Sequence, residues 1–291
     1  MTKNKKIVKF NGGLGNQMFQ YAFAKAVENK LNCEVLFDYS FFEDVKKCDN
    51  VTTREYELNT FGVNCTAATS EDLSKIKMPK GSLQKRLPKF FGVNFKREKY
   101  ARVFNKNMIK PYFYCWEGYF QNEKYFKHLR SELLKDFTLK APLDDANLHL
   151  LNEIKKSNSV SLHVRRGDYV TLDYVNKLQG TCTLDYYKSA IKYIAERVEN
   201  PHFFLFSDDI EWVIENLKLQ HKYTAVNINQ GKGYFDLELM KNCKHNIIAN
   251  SSFSWWGAWL NQNPEKIVIA PKNWTVKKEK CDIVPKDWVK Y

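Results

Sequence analysis

No run in the sequence approaches the roughly 18 to 20 apolar residues that span a bilayer as a helix. No Cys-x-x-Cys pair occurs among the seven cysteines (Cys33, Cys48, Cys65, Cys115, Cys182, Cys243 and Cys281), and their number is odd. A disulfide framework and a zinc site both read poorly from that spacing, and reduced thiols in a cytosolic protein read well. No strict Asp-x-Asp is present, the spacing by which two carboxylates commonly share a divalent cation. The nearest form, Asp236-Leu237-Glu238, lies inside a helical pattern, so no metal is expected. The basic N-terminus, Met1 to Phe10, leads straight into glycines instead of an apolar signal core. Acids are also short, 33 against 46 bases, for a net charge of +13. Such a surplus attracts nucleic acid, anionic lipid or phosphorylated ligands, although a solvated basic face is the plainer reading. Lysines cluster over 3–9, 75–99 and 272–280.

What is present is a globular chain. Its 291 residues, 44% hydrophobic and 15% aromatic, are enough for two cores. Ile7 to Phe10 reads as a strand, Asn11-Gly12-Gly13-Leu14-Gly15 as a turn, Phe19, Ala22, Phe23 and Ala26 as a helix face, and 33–37 as a second strand. The stretch 41–112 is Lys-rich and weakly periodic. Helices are predicted over 123–137 and 146–156, flanking Pro142, and the domains are drawn as 1–156 and 157–291. From Ser159 the pattern becomes regular. Strands over 159–165, 202–206, 223–226, 246–249 and 266–270 alternate with helices over 184–198, 210–219, 235–243 and 253–261. Alternation of this kind means a parallel sheet, with ligands beyond the C-terminal strand ends.

Polar clusters stand at those ends. His163-Val164-Arg165-Arg166-Gly167-Asp168-Tyr169 leaves a strand for a loop. Arginine's rigid fork of donors matches phosphate oxygens and stays charged, and a diphosphate leaving group needs such charge. An Arg166–Asp168 surface ion pair is the competing reading. Ser251-Ser252-Phe253-Ser254-Trp255-Trp256-Gly257 follows a strand and opens a helix, whose free N–H groups bind anions. A plain serine N-cap with both tryptophans in the core competes with that. In Ser207-Asp208-Asp209 a carboxylate can accept from a ligand such as guanine, through its N1–H and 2-amino group, or Asp209 can cap the following helix. Gly12-Gly13-Leu14-Gly15-Asn16-Gln17 only loosely matches a dinucleotide fingerprint, since Met18 stands where its third glycine should be. Its glycines still allow close backbone approach to a ligand.

Together, Gly12 to Tyr21, His163 to Tyr169, Phe206-Ser207-Asp208 and Asn250 to Gly257 resemble, in order and across nearly the whole chain, the motifs of the α-1,2-fucosyltransferases of glycosyltransferase family 11. The resemblance implies an α/β, GT-B-like fold of two Rossmann-like domains facing a cleft. It implies inverting, metal-independent transfer of L-fucose from GDP-β-L-fucose to the 2-hydroxyl of a terminal galactose on an oligosaccharide or glycolipid. GDP-fucose is then a substrate, and no cofactor is expected. Arg165 falls on the donor phosphates, His163 and Asp208 near guanine, and Ser251, Ser252 and Phe253 at the diphosphate. Gly13, Gly15 and Asn16 complete the expected donor contacts. Animal members carry a membrane anchor. No such segment occurs here, so the resemblance is to bacterial-type enzymes. The expected location is cytoplasmic, with the positive charge allowing peripheral contact with anionic lipid at the inner membrane face.

Inverting transfer needs a base for the acceptor hydroxyl. Asp168 is the candidate, with Asp173 as competitor and an arginine-orienting role for Asp168 as the alternative. Two rivals stand beside this reading. One is another GDP-sugar transferase of the same fold, such as a protein O-fucosyltransferase. The other is a basic nucleic-acid-binding protein, disfavoured because Phe203, Phe204 and Phe206 sit in a strand pattern and not in an exposed stacking surface.

Overall fold

The computed structural model describes residues 4–45, 54–167, 180–276 and 281–291. Asp168, Tyr169 and Asp173 fall outside the described residues. The chain divides into two compact units, Met1–Thr138 and Leu139–Tyr291.

In the first unit, β1 (Lys5–Lys9), β2 (Glu34–Asp38), β3 (Phe95–Arg97) and β4 (Cys115–Glu117) form a parallel sheet in the order β2-β1-β4-β3. The helix Leu14–Leu31 joins β1 to β2 and buries Met18, Phe19, Ala22, Phe23 and Ala26. Phe23 stacks on Phe120 with ring centroids 3.8 Å apart. Phe120 holds that position with φ +51°, a left-handed backbone that a bulky residue rarely adopts. The helix expected over 123–137 is broken. Short 3-10 turns, Glu123–Tyr125 and Lys127–Leu129, precede the helix Arg130–Asp136, because Phe126 leaves helical backbone (φ −134°, ψ 2°) while its ring is fully buried.

In the second unit, β5 (Asn158–Val164), β6 (Pro201–Ser207), β7 (Tyr223–Val226), β8 (His245–Ile247), β9 (Val268–Ala270) and β10 (Val289–Lys290) form a parallel sheet in the order β10-β9-β8-β5-β6-β7. Core clusters around Val160, Leu162 and Ile191, and around Phe204, Phe206 and Leu239, enclose it. Both faces of β5 are therefore buried, including the face that carries Ser161 and His163, as parallel sheets require. The helix Asp145–Lys156 belongs here as well. Its Asn147 exchanges amide hydrogen bonds with Asn229 at 2.8 and 2.9 Å, and Ile154 packs with Phe204 and Phe206. The division thus falls close to Pro142, one helix before the 156/157 boundary drawn from the sequence.

Each sheet has a point where the strand order reverses. In the second unit the chain steps outward from β5 through β6 to β7, then returns to the opposite side of β5 for β8. In the first unit the reversal lies between β1 and β4. Loops leaving the C-terminal ends of such strand pairs diverge and open a crevice.

Candidate active site

The crevice of the second unit is built by the loops after β5, β6 and β8. Parallel register pairs Val164 with Ser207, so the next residues, Arg165 and Asp208, come side by side. Arg165 Nη1 lies 2.8 Å from Asp208 Oδ2. The other oxygen, Oδ1, accepts the Arg166 backbone N–H at 2.9 Å. Gly167 has no room for a side chain, since a Cβ there would run into the Asp208 carboxylate. Arg166 is held separately. Its Nε donates to Asp209 Oδ2 at 3.0 Å, and its guanidinium lies 3.5 Å from the centroid of the Trp212 ring, a cation–π stack. Asp209 also caps the helix Ile210–Leu217 through the Trp212 N–H, as its capping alternative anticipated.

His163 sits inside β5, 6% exposed, and its Nδ1 has no hydrogen-bond partner among the described residues. Burial drives its pKa down to about 4. The Asp208 charge opposes the shift, and the Arg165 charge adds to it. The ring is therefore neutral near pH 7, with one nitrogen able to accept. A buried polar atom without a partner costs stability and calls for a reason. The His163 ring centroid lies 5.8 Å from that of Phe253. Phe253 is in the first turn of the helix Ser252–Leu260, whose N-cap is Ser251, with Oγ accepting the Phe253 N–H at 3.3 Å. Trp255 and Trp256 are fully buried. The N-cap reading of Ser251 thus holds, and it does so at the rim of the crevice. His163, Arg165, Asp208 and Phe253 are linked by these contacts, with Ser251 and Ser252 adjoining. A cavity of about 450 Å³ opens at the C-terminal ends of β8 and β9, lined by Thr181, Cys182, Thr183, Asn250, Lys272 and Asn273 among others. The preceding motif residue, Asn250, is fixed by bonds from its Nδ2 to Gly180 O (2.9 Å) and Trp274 O (3.3 Å).

The first unit's crevice has different chemistry. Gly12 takes φ +74°, and a Cβ there would strike the Asn16 side chain. Gly13 precedes the helix, and the Leu14 N–H donates to Glu57 Oε2 at 3.2 Å. Gly15 is buried in the first turn, and Asn16 Oδ1 accepts from Gln121 Nε2 at 2.8 Å. Gln20 Nε2 reaches Asn11 Oδ1 and Gly118 O, and Gln17 ties Gly12 O to Glu55 O. A carboxylate already stands at this helix start, so the donor role expected of Gly13, Gly15 and Asn16 would have to compete with Glu57. Glu98 follows β3 directly. Its Oε2 accepts the Tyr119 and Phe120 N–H groups, both at 2.8 Å, while the buried Oε1 has no hydrogen-bond partner among the described residues. Burial lifts its pKa to about 7 against the pull of those donors and of Arg102.

Sequence reasoning missed Trp212, Gln121 and Glu98. Gly118-Tyr119-Phe120-Gln121 follows a strand of three residues, too short to show a period. Trp212 is an ordinary apolar position of an amphipathic helix until Arg166 is seen stacked on it.

Two parallel α/β units, one with two arginine–aspartate pairs at its sheet reversal, have a GT-B-like fold. The family model described as Glycosyl transferase family 11 matches residues 5–291, and the chain belongs to that family. It is 36% identical to the O-antigen biosynthesis glycosyltransferase WbnK of Escherichia coli, covering 96% of this chain and 98% of that one. It is 35% identical to an alpha-1,2-colitosyltransferase of Escherichia coli, covering 98% of each. Galactoside 2-alpha-L-fucosyltransferase SEC1 of Bos taurus is 30% identical over 49% of this chain and 41% of its own length. Among solved structures, a point variant of Arabidopsis thaliana FUT1 in complex with GDP aligns with a TM-score of 0.50 at 11% identity, covering 97% of this chain and 74% of that one, a likeness of fold. Among the described residues, no helix is long and apolar enough to cross a membrane, and no group of His, Cys, Asp and Glu is arranged to hold a metal ion.

Proposed function

We propose that the chain transfers L-fucose from GDP-β-L-fucose to the 2-hydroxyl of a terminal galactose, with inversion and without metal. The observation that carries this reading is the β5–β8 crevice. There Arg165, steadied by Asp208, stands with a buried neutral His163 and the start of the helix Ser252–Leu260. Arg165 and the Ser252 N–H receive the diphosphate, beside the Phe253 N–H that Ser251 caps. His163 stays neutral near guanine in this reading, and its buried Nδ1 reaches the nucleotide only if the ring shifts. Asp208 holds Arg165 and keeps a lone pair on each oxygen for guanine.

In the transfer, the acceptor oxygen forms a bond to the anomeric carbon as the bond to the β-phosphate oxygen breaks. The electron pair leaves with GDP, Arg165 offsets its charge, and the hydroxyl proton passes to a base. Asp168 is our choice of base, and Asp173 its competitor. A β-linked donor giving an α product requires attack from the face opposite GDP, hence inversion.

Kinship to a colitosyltransferase supports a second donor reading, since colitose is L-fucose lacking the 3-hydroxyl. The deciding experiment measures GDP release from GDP-fucose and GDP-colitose, with and without EDTA, across galactose-terminated acceptors. Turnover on GDP-fucose that survives EDTA supports the proposal. Preference for GDP-colitose replaces the donor, and turnover that needs added Mn²⁺ removes the arginine account.

A further inference from the structure

Between Asp72 and Glu98 the chain contains no acid and eight cations: Lys75, Lys77, Lys80, Lys85, Arg86, Lys89, Lys96 and Arg97. Lys75 pairs with Glu71, and Arg97 with Glu117. Lys77, Lys80, Lys85, Arg86 and Lys89 have no carboxylate partner among the described residues. The same stretch carries large apolar side chains turned to solvent. Phe90 is 84% exposed, Leu83 57%, Met78 56% and Leu87 50%. Phe90 and Phe91 rings meet edge to face at 5.2 Å.

This segment is an excursion with a defined neck. The Asn94 side chain accepts the Lys77 N–H at 2.6 Å and donates to Lys75 O at 2.9 Å, and Val93 is buried beneath. Beyond the neck, the turn Gly81, the short helix Ser82–Arg86 and the bend at Gly92 (φ +65°) carry the exposed side chains.

Exposed apolar side chains interspersed with unpaired cations over one short segment mark a surface for contact. Charge complementarity calls for an anionic partner. Leu83, Leu87, Met78 and Phe90 call for one with an apolar interior. A polyanion such as RNA satisfies the lysines and leaves the aliphatic side chains in water. An anionic bilayer satisfies both.

We propose that residues 77–91 form a membrane-surface anchor. Leu83, Leu87 and Phe90 enter the acyl boundary of an anionic bilayer, while Lys80, Lys85, Arg86 and Lys89 lie against lipid phosphates. This stands independently of the donor and acceptor reading, because none of these residues belongs to the sites described above.

The test is flotation of the full chain with phosphatidylcholine vesicles, alone or with about one-quarter phosphatidylglycerol. The expected result is at least about tenfold stronger retention on the anionic vesicles, weakening with added salt. Leu87→Ser/Phe90→Ser should lose most of that retention at unchanged melting temperature and unchanged turnover on a soluble acceptor. Lys155→Glu/Lys156→Glu removes as many cations as Lys85→Glu/Arg86→Glu. The first pair should keep retention and the second lose it. Equal loss from both charge variants, or normal retention by Leu87→Ser/Phe90→Ser, reduces the binding to net charge and overturns the anchor. Single-stranded RNA binding that depends on Leu87 and Phe90, without vesicle binding, overturns it in favour of nucleic acid.

Discussion

The two sheets each reverse strand order and line the resulting crevices differently. At β1/β4 the loops are stitched by neutral amides, Asn16 to Gln121 and Gln20 to Gly118, and the helix start is met by the Glu57 carboxylate. At β5/β8 the strand ends pair Arg165 with Asp208 and Arg166 with Asp209, beside a buried His163 whose Nδ1 has no hydrogen-bond partner among the described residues. Topology fixes where a crevice can form, and the side chains at the strand ends make the two crevices different.

The sharpest way to break this comparison is Arg165→Lys. Lysine keeps the charge and loses the fork that serves Asp208 and a ligand oxygen together. Turnover should fall by roughly 10²-fold or more. Steady-state GDP release measures it, and near-normal turnover would move the diphosphate elsewhere.

Asp208→Asn comes next. The amide oxygen still accepts the Arg166 N–H but holds Arg165 far less firmly. GDP affinity by calorimetry and kcat should fall together, each by about tenfold, as expected for a lost charge-assisted pair. Loss of affinity with kcat intact would assign Asp208 to guanine alone.

In the first unit's crevice, Glu98 predicts a pH effect. Its folded pKa, about 7, lies above its ordinary value of 4.5. The folded state therefore holds this proton more tightly than the unfolded one. That stabilisation is complete below the ordinary value and is lost as pH rises through about 7. Glu98→Gln keeps an acceptor for the Tyr119 and Phe120 N–H groups and should flatten thermal stability across that window. An unchanged slope would show that Glu98 does not titrate there.

The smallest effect concerns His163. Its folded pKa, about 4, is depressed below 6.5, so its contribution is present above 6.5 and declines as pH falls toward 4. The His163 contribution to GDP affinity should then be flat from about pH 8 to 6, where the folded ring stays neutral. A step in affinity inside that range, absent in His163→Gln, would mean the ring gains a proton.

The second unit was legible in the sequence because its strands alternate with amphipathic helices long enough to show a period. Each predicted strand appears within a residue or two at most ends. The first unit was legible only through Leu31 and β2. β3 and β4 have three residues each, and Phe126 breaks a helix to bury its ring. The charged cluster was legible as residue types and not as partners. Arg165 and Asp208 are far apart in the chain and meet only through the register of β5 on β6, which no local pattern encodes. Trp212 and Glu98 were hidden for the same reason, while the role of Asp168 falls outside the described residues.

Gly167 has a practical consequence for genetics. Any side chain there acts as a wedge against a carboxylate that is already committed to Arg165. Asp208 must shift to make room, which disturbs its pairing with the guanidinium. A Gly167→Ala allele should accumulate to normal levels in a complementation strain and still fail to restore the glycan, which makes it a cleaner loss-of-function control than a deletion.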